Sequence, residues 1–279
     1  MNRLFVANKP AGISSNHFLA RLKRKYGVKS AGFSGTLDPF ASGCLIVAFN
    51  QYTKLFNYIN KAPKCYRACL WLGATSPSGD NENIENLSIL KPFGLEKLEQ
   101  ITSALKGEIE FVPPKYSAKH INGVRAYDLA RKGVDFELKK QSMQVYNAKI
   151  LHYFHPFLSV RLELSEGGYA RSWAQLFANK LGCVATLSAL ERISEGSFMY
   201  ENERALNPLD FISLPQNEYL GDLSDIAFGK KLRAKDFKEQ KNGLYLIKLD
   251  DFFSIIEICN DEVKYKLNRV ANAKACAQG

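Results

Sequence analysis

The sequence predicts an α+β fold, with a larger unit over residues 1–210 and a small, mostly β module over residues 213–279. Three observations lead there. Segments of strand length are dispersed among segments of helical period, which argues against a doubly wound parallel sheet. Two long strand-like stretches, near Gln144–Phe154 and Phe157–Leu164, follow one another in the manner of antiparallel partners. After Asn207-Pro208-Leu209-Asp210 and Pro215, three short strands separated by turn residues fill the rest of the chain.

Taken in order, Leu4–Ala7 reads as a short strand stopped by Pro10-Ala11-Gly12. Ser14 or Ser15 can cap a helix whose Phe18, Leu22 and Tyr26 share one face, with Leu19 beside them, and Gly27 closes it. Arg21, Arg24 and Lys25 are then left toward solvent. A Gly/Ser-rich loop over Gly32–Pro39, then Ala41-Ser42-Gly43, leads into the apolar strand Cys44–Phe49. Tyr66–Leu72 alternates loosely and ends at Gly73, and Thr75–Asn86 is a polar loop. Leu95, Leu98, Ile101 and Leu105 mark an amphipathic helix ended by Gly107, and Val124–Arg131 a short one before Gly133. Past the long strand pair, Glu166-Gly167-Gly168 is a turn and Arg171–Leu181 a helix closed by Gly182. Leu187–Ile193 is the last strand or extended segment of the larger unit. Leu244–Leu249, Phe253–Ile258 and Val263–Leu267 form the terminal module.

A chain of 279 residues with 46% hydrophobic, 12% aromatic and 24% charged residues can bury a sizeable core and has room for about two domains. That composition excludes a disordered chain, a collagen-like repeat and a small disulfide-stapled fold. No apolar run approaches the roughly 18 residues of a membrane span, and Met1–Pro10 lacks the apolar stretch of an export signal. Cys44, Cys65, Cys69, Cys183, Cys259 and Cys276 have no framework spacing and suit a reducing compartment. A cytoplasmic protein with no membrane partner is expected.

Charge narrows the partner. Residues 1–60 carry eight Lys or Arg against the single acid Asp38, and residues 114–140 carry seven against three, within a net charge of +10. Residues 80–110 run the other way, with seven acids against three lysines. A clustered positive excess fits a polyanion such as nucleic acid, although a basic surface kept for solubility has the same composition. Metal, thiol and nucleotide sites fit poorly. Cys65 and Cys69 on one strand would stand about 13 Å apart, and His152 and His155 have no ligand partner nearby. No Cys-x-x-Cys is present, nor a Walker lysine after a glycine-rich loop, nor a G-x-G-x-x-G opening a helix.

Asp38 is the residue this pattern isolates. Pro39 fixes its own φ and biases Asp38 toward extended geometry, while Gly32 and Gly35 permit tight turns or close ligand approach. Such a loop beside a basic helix can present one anionic oxygen to a substrate whose phosphates are held by Lys and Arg. Equally, Asp38 can close an Asx-turn on its own backbone. Taken alone, Tyr66 is a strand-core aromatic, Leu190 a core leucine, and Arg171 a phosphate contact at a helix start or a surface residue.

The stretch Gly32-Phe33-Ser34-Gly35-Thr36-Leu37-Asp38-Pro39-Phe40-Ala41-Ser42-Gly43 closely resembles the catalytic motif of the TruB family, bacterial synthases that make pseudouridine at position 55 of tRNA. Other stretches resemble the family in the same order. Asn8-Lys9-Pro10-Ala11-Gly12-Ile13-Ser14-Ser15 is similar to its opening, and Lys64-Cys65-Tyr66-Arg67-Ala68 to its catalytic-tyrosine strand. Val112-Pro113-Pro114-Lys115-Tyr116-Ser117-Ala118, with Asn122-Gly123 and Arg125-Ala126-Tyr127, resembles its central basic region. Ser165 to Arg171 and Leu190-Glu191-Arg192-Ile193 complete the set, which spans roughly residues 3–210.

The resemblance implies a mixed, largely antiparallel central sheet flanked by helices, followed by a PUA-like domain. It implies Asp38 as nucleophile, attacking C1′ or the base or promoting a glycal-type intermediate. A C–N bond is exchanged for a C–C bond, so cation-like character at C1′ makes a nearby carboxylate useful, as in glycoside chemistry. Tyr66 is implied as the ring that stacks on the target base and acts on the C5 proton, Arg171 as the guanidinium fork paired with Asp38, and Leu190 as packing against the target nucleotide. Two positions depart from the pattern. Phe33 stands where a stacking histidine is common, keeping the flat face without the hydrogen bonds. His120 stands where a lysine is usual, with Lys119 beside it.

The implied substrate is the T-arm stem-loop of tRNA, its uridine flipped out of the loop. Lys9 and the helix residues Arg21, Arg24 and Lys25 are candidate backbone grips. Lys115, Lys119, His120 and Arg125 are candidates in the central basic region, and Phe33 stacks in the opened loop. Residues 80–110 are expected to face away from RNA. No cofactor is implied, because isomerising uridine changes neither redox state nor composition. A stand-alone monomer needing no protein or guide-RNA partner is expected, with residues 213–279 mainly a brace. A uridine isomerase for another RNA, or a tRNA-binding or folding factor without turnover, are the alternatives.

Overall fold

The computed structural model describes residues 2–117, 119–121 and 123–272, with the side chain of His120 outside that set. Strands of four residues or more are numbered here with the helices. The chain runs β1 (Arg3–Lys9), α1 (Ser15–Lys25), β2 (Ala31–Ser34), β3 (Ser42–Phe49), β4 (Lys64–Leu72), α2 (Leu95–Ala104), β5 (Gly107–Phe111) and α3 (Ala126–Arg131). It continues β6 (Gln141–Phe154), β7 (Phe157–Leu164), α4 (Ala170–Leu181), β8 (Ala185–Glu195), α5 (Leu223–Phe228), β9 (Gly243–Lys248), β10 (Phe252–Cys259) and β11 (Glu262–Ala271). Among the described residues, nine strands form one mixed sheet along the path β1-β3-β8-β4-β7-β6-β5, with β2 and Phe198–Met199 pairing off it. Only β3–β8 is parallel among these pairings. This is the expected α+β class, and β9-β10-β11 form a separate antiparallel sheet. No helix among the described residues is long and apolar enough to cross a membrane.

Strand alternation explains why β3 is apolar without a break. Phe5, Leu45, Val47 and Phe49 pack with Phe18 and Leu22 of α1 on one face of β1–β3. Leu4, Val6, Ile46 and Ala48, on the other face, pack with Leu246, Phe253, Ile255 and Leu267 of the C-terminal sheet. A strand covered on both faces has no polar side to show. The remaining large core lies further along the sheet, where α2 and α4 bring Leu98, Ile101, Trp173 and Phe177 onto Leu70, Leu158 and Val160.

The sheet forks at β3. One edge carries β1 along residues 43–49, while the other is shared: β2 takes residues 46–49 and β8 takes Ser42 and Gly43. The segment carrying Asp38 leaves the sheet in this gap. Gly43 makes the close approach possible. It sits at φ +104°, and a Cβ there would lie 2.3 Å from the carbonyl oxygen of Arg192. Gly43→Ala is therefore expected to lose at least about 2 kcal/mol in chemical denaturation. A midpoint equal to wild type would show that β8 can yield without cost.

The structure also amends the expected elements. Leu187–Ile193 lies in the longer β8, which sits inside the sheet between β3 and β4. The first residues of the Gly/Ser-rich loop form β2, because β3 offers them a free edge. Gly107 does not merely end a helix; it opens β5, which pairs with the start of β6. The helix expected from Val124 begins at Ala126, since Val124 and Arg125 pair with Ile121 and His120.

Candidate active site

Asp38 is held by a loop pinned at several points. Gly12 N–H donates to the carbonyl of Pro39 at 2.8 Å. The Ser15 hydroxyl accepts from Leu37 N–H at 3.0 Å and donates to the carbonyl of Leu37 at 2.9 Å. Leu37, Phe40 and Ala41 are buried, so the loop is anchored on both sides of Asp38. Beneath it, Lys9 Nζ donates to the carbonyls of Pro10 at 2.9 Å, Ile13 at 2.7 Å and Pro39 at 3.4 Å. These contacts tie the end of β1 to the loop.

Arg171, in the first turn of α4, supplies the fork. Its Nη2 stands 2.8 Å from Asp38 Oδ2, with side-chain exposures of 3% and 28%. Two further donors go to the carbonyls of Ser78 at 2.7 Å and Tyr116 at 2.8 Å, so the guanidinium is fixed before any substrate arrives. Burial pushes the Asp38 carboxyl above the usual range; Arg171 is the strongest opposing influence, Asp80 adds to the rise and Lys9 works against it. The loop's own turn is closed by Ala41 N–H on the carbonyl of Asp38. The carboxylate is turned to Arg171.

Two cavities meet at Asp38. One of about 180 Å³ is bounded by Tyr66, Tyr169, Leu190 and Arg192. The other, about 270 Å³, is bounded by Phe33, Asp80, Arg125, Tyr127 and Arg131. Tyr66 and Leu190 reach the first cavity from β4 and β8, where Ala68 and Leu190 are cross-strand neighbours, as are Tyr66 and Arg192. Burial raises the Tyr66 phenol above its ordinary value, while Arg192 opposes that rise. A carboxylate, a fixed guanidinium and a phenol thus converge on a space with a flat aromatic wall. That set can stabilise positive character on a sugar carbon and accept a proton from a ring carbon. Among the described residues, no group of three or more His, Cys, Asp or Glu could hold a metal ion.

The basic candidates divide. Arg21 and Arg24 are exposed on α1, and Lys25, also exposed, pairs with Glu203 at 2.6 Å. Lys115 is exposed and 3.0 Å from Asp135, and Arg125 lines the second cavity with its Nη1 donating to the Tyr127 hydroxyl at 3.1 Å. Lys119 is half-buried, its carbonyl accepting from Ala126 N–H. The side chain of His120 lies outside the described residues. Phe33, opposite Val47 on β2, lines the second cavity. Lys9 must be corrected. It is 0% exposed, burial lowers its pKa to about 8, and its amine is committed to backbone carbonyls, so it braces the loop and offers no surface to a phosphate.

Residues 80–110 need a correction too. Asp80 is buried against the second cavity, with the Ser78 hydroxyl donating to its carboxylate, and Glu82 lines the same cavity. The acidic stretch therefore starts inside the site. Sequence reasoning gave Lys64 and Arg192 no role beyond their place in family-like stretches and passed over Glu195. The signal available was the opposite charges of Arg192 and Glu195 at the end of one strand, but three positions apart on a regular strand places them on opposite faces.

Residues 23–170 match the TruB family pseudouridylate synthase N-terminal domain. The protein called tRNA pseudouridine synthase B in Campylobacter curvus is 60% identical over 270 residues, covering 97% of this chain and 99% of that protein. The namesakes in Campylobacter concisus and Sulfurovum are 58% and 50% identical over the same length. Among solved structures, a chain in a Cbf5-Nop10-Gar1 complex shares the fold at a TM-score of 0.66 and 19% identity, covering 96% of this chain and 83% of that one. A chain in an archaeal box H/ACA Nop10-Cbf5 complex does so at 0.63 and 18% identity, with coverages of 96% and 85%. Identity of this order across nearly the whole length leaves one assignment: the chain belongs to the TruB family of pseudouridylate synthases.

Proposed function

We propose that this protein converts one flipped-out uridine in the T-loop of tRNA, at position 55, to pseudouridine, acting alone. The observation that carries the reading is the 2.8 Å pair of Arg171 and Asp38 at the mouth of a cavity walled by Tyr66 and Leu190, in a chain whose relatives are named for tRNA pseudouridine synthesis. The N1–C1′ bond of uridine breaks and a C5–C1′ bond forms, C5 loses its proton and N1 gains one. Asp38 acts on the sugar or base at the broken bond, Tyr66 takes the C5 proton, and Leu190 packs on the nucleotide. Arg171 keeps Asp38 aimed. Phe33 stacks in the opened loop, and Arg21, Arg24, Lys25, Lys115, Lys119 and Arg125 hold the backbone. The C-terminal sheet, sharing a core with β1 and β3, braces them.

The purified protein is expected to isomerise an isolated T-arm hairpin and to leave the same uridine untouched in a continuous duplex, where unpairing costs a few kcal/mol more. Conversion measured across a salt series should fall steeply, because backbone grips release counterions. Equal conversion of the duplex, or dependence on whole tRNA or a guide RNA, would overturn the stand-alone loop-reading enzyme.

Arg171→Lys is expected to slow single turnover about tenfold to a hundredfold, since a point charge cannot span Asp38 and two carbonyls. Asp38 works as a carboxylate, so rate is present above its pKa and lost as pH falls through it. Burial raises that pKa and Arg171 opposes the rise. Weakening Arg171 therefore moves the acid limb to higher pH, which a pH–rate profile reads directly; an unmoved limb would separate Arg171 from Asp38.

A further inference from the structure

Beneath the first cavity lies a set of charges to which the reaction, as described above, gives no task. Arg192 is fully buried, its Nε donating to the carbonyl of Cys44 at 2.8 Å and its Nη2 to the carbonyl of Gly35 at 2.9 Å. Nη2 also stands 2.7 Å from Glu195 Oε1, with side-chain exposures of 1% and 0%. The guanidinium also faces the Tyr66 phenol: the two residues are cross-strand partners and both border the first cavity, and the charge of Arg192 opposes the rise of the phenol's pKa.

The backbone builds this arrangement deliberately. Arg192 lies opposite Tyr66, and Glu195 opposite Lys64, with a register shift between Arg192 and Ser194. Tyr66 and Lys64 are two apart and share a face; the extra residue in β8 lets Arg192 and Glu195, three apart, meet them on that same face. A Cβ placed on Gly35 would be 2.8 Å from Glu195 Oε1, 3.2 Å from Lys64 Nζ and 3.3 Å from Arg192 Nη1. The charges therefore press directly on the underside of the loop that carries Asp38. Neither oxygen of Glu195 has a well-formed hydrogen bond among the described residues. Its partnership with Arg192 and Lys64 is one of charge.

We propose that Arg192 is the positioning residue for the Tyr66 hydroxyl, fixing it to the Gly35 turn of the Asp38 loop, and that Glu195 sets how much positive charge Arg192 presents to the phenol. This rests on the reading of Tyr66 as the proton acceptor. It adds the device that keeps that acceptor aimed and sets its readiness to ionise. The groups acting on Tyr66 are Arg192 and Glu195 from β8 and Asp38 from its loop. Lys64, Lys61 and Glu166 act in turn on Glu195, and Cys44 and Lys9 face Arg192. Arg192 lowers the phenol and Glu195 raises it, so removing either charge has a definite and opposite sign.

The test titrates Tyr66 itself. Ultraviolet difference spectra between each protein and the same protein carrying Tyr66→Phe isolate this phenol. Glu195→Gln, which keeps the shape, is expected to move its ionisation down by about one pH unit, and Arg192→Gln, which removes the positive charge, to move it up by about as much. Single-turnover rates on the T-arm hairpin, taken across pH with saturating protein, should rise at correspondingly lower and higher pH. RNA affinity should change less than about twofold, because neither residue touches the backbone grips. Shifts of the same sign, or no shift, overturn the inference, even where thermal stability falls. If Arg192→Gln does not fold, the Glu195→Gln shift decides alone. Opposite spectral shifts with an unmoved rate profile support the tuning of Tyr66 and overturn its role as proton acceptor. Absence of isomerisation by the wild-type protein overturns the functional reading and leaves the spectral test standing.

Discussion

Asp38→Asn is expected to fold, to bind the T-arm hairpin and to form pseudouridine at least about ten-thousandfold more slowly, because it deletes the group proposed to act at the broken bond. The substitution keeps the shape and one carbonyl oxygen that still accepts from Arg171. Leaving a buried guanidinium without its counter-charge costs up to about 3–5 kcal/mol, but here the loss is softened. Arg171 keeps the carbonyls of Ser78 and Tyr116, and the burial that strains the Asp38 carboxylate no longer acts on a charge. The loop itself is held by Lys9, Ser15 and Gly12 rather than by the carboxylate. Tritium release from hairpin labelled at uridine C5, read beside filter binding of the same RNA, separates chemistry from affinity. Turnover near wild type would remove Asp38 from the mechanism, and loss of binding would make it a residue of the RNA surface.

What the sequence made legible was mostly local. The frame of Gly35, Asp38 and Pro39 is contiguous, and its resemblance to a known motif is carried by consecutive residues. Arg171 opens a helix whose period is plain from Trp173, Phe177 and Leu181. The unbroken apolar run of β3 announced a strand covered on both faces, and the structure supplies α1 on one side and the C-terminal sheet on the other. What stayed hidden depends on contacts distant along the chain. Lys9 counts as one more base in a basic segment, and only the fold shows three carbonyls turned toward its amine. Ala31–Ser34 becomes a strand because β8 leaves half an edge of β3 free, a vacancy no local pattern encodes. The charges of Arg192 and Glu195 are visible in the sequence, but their meeting on one face follows from a register shift that strand periodicity contradicts.

Tyr66→Phe is expected to bind the hairpin with little loss and to turn over about a hundredfold to ten-thousandfold more slowly, the range that a positioned proton acceptor contributes. The ring stays, so the wall it shares with Leu190 in the first cavity is preserved. What goes is the oxygen that faces the Arg192 guanidinium. Taking a polar neighbour from a buried cation costs about 1–3 kcal/mol. That loss is tolerable because Arg192 keeps the carbonyls of Cys44 and Gly35 and its contact with Glu195. The Asp38 loop therefore remains in place, and the slow step changes instead. With the acceptor gone, removal of the C5 proton should limit the rate, so a hairpin deuterated at uridine C5 should react several-fold more slowly with the variant, while wild type shows a smaller isotope effect. A slow variant without that isotope effect would place Tyr66 at an earlier step, the stacking and capture of the flipped base. An unchanged rate would leave it a packing residue, and the search for the proton acceptor would move to Tyr169, the other phenol that borders the same cavity.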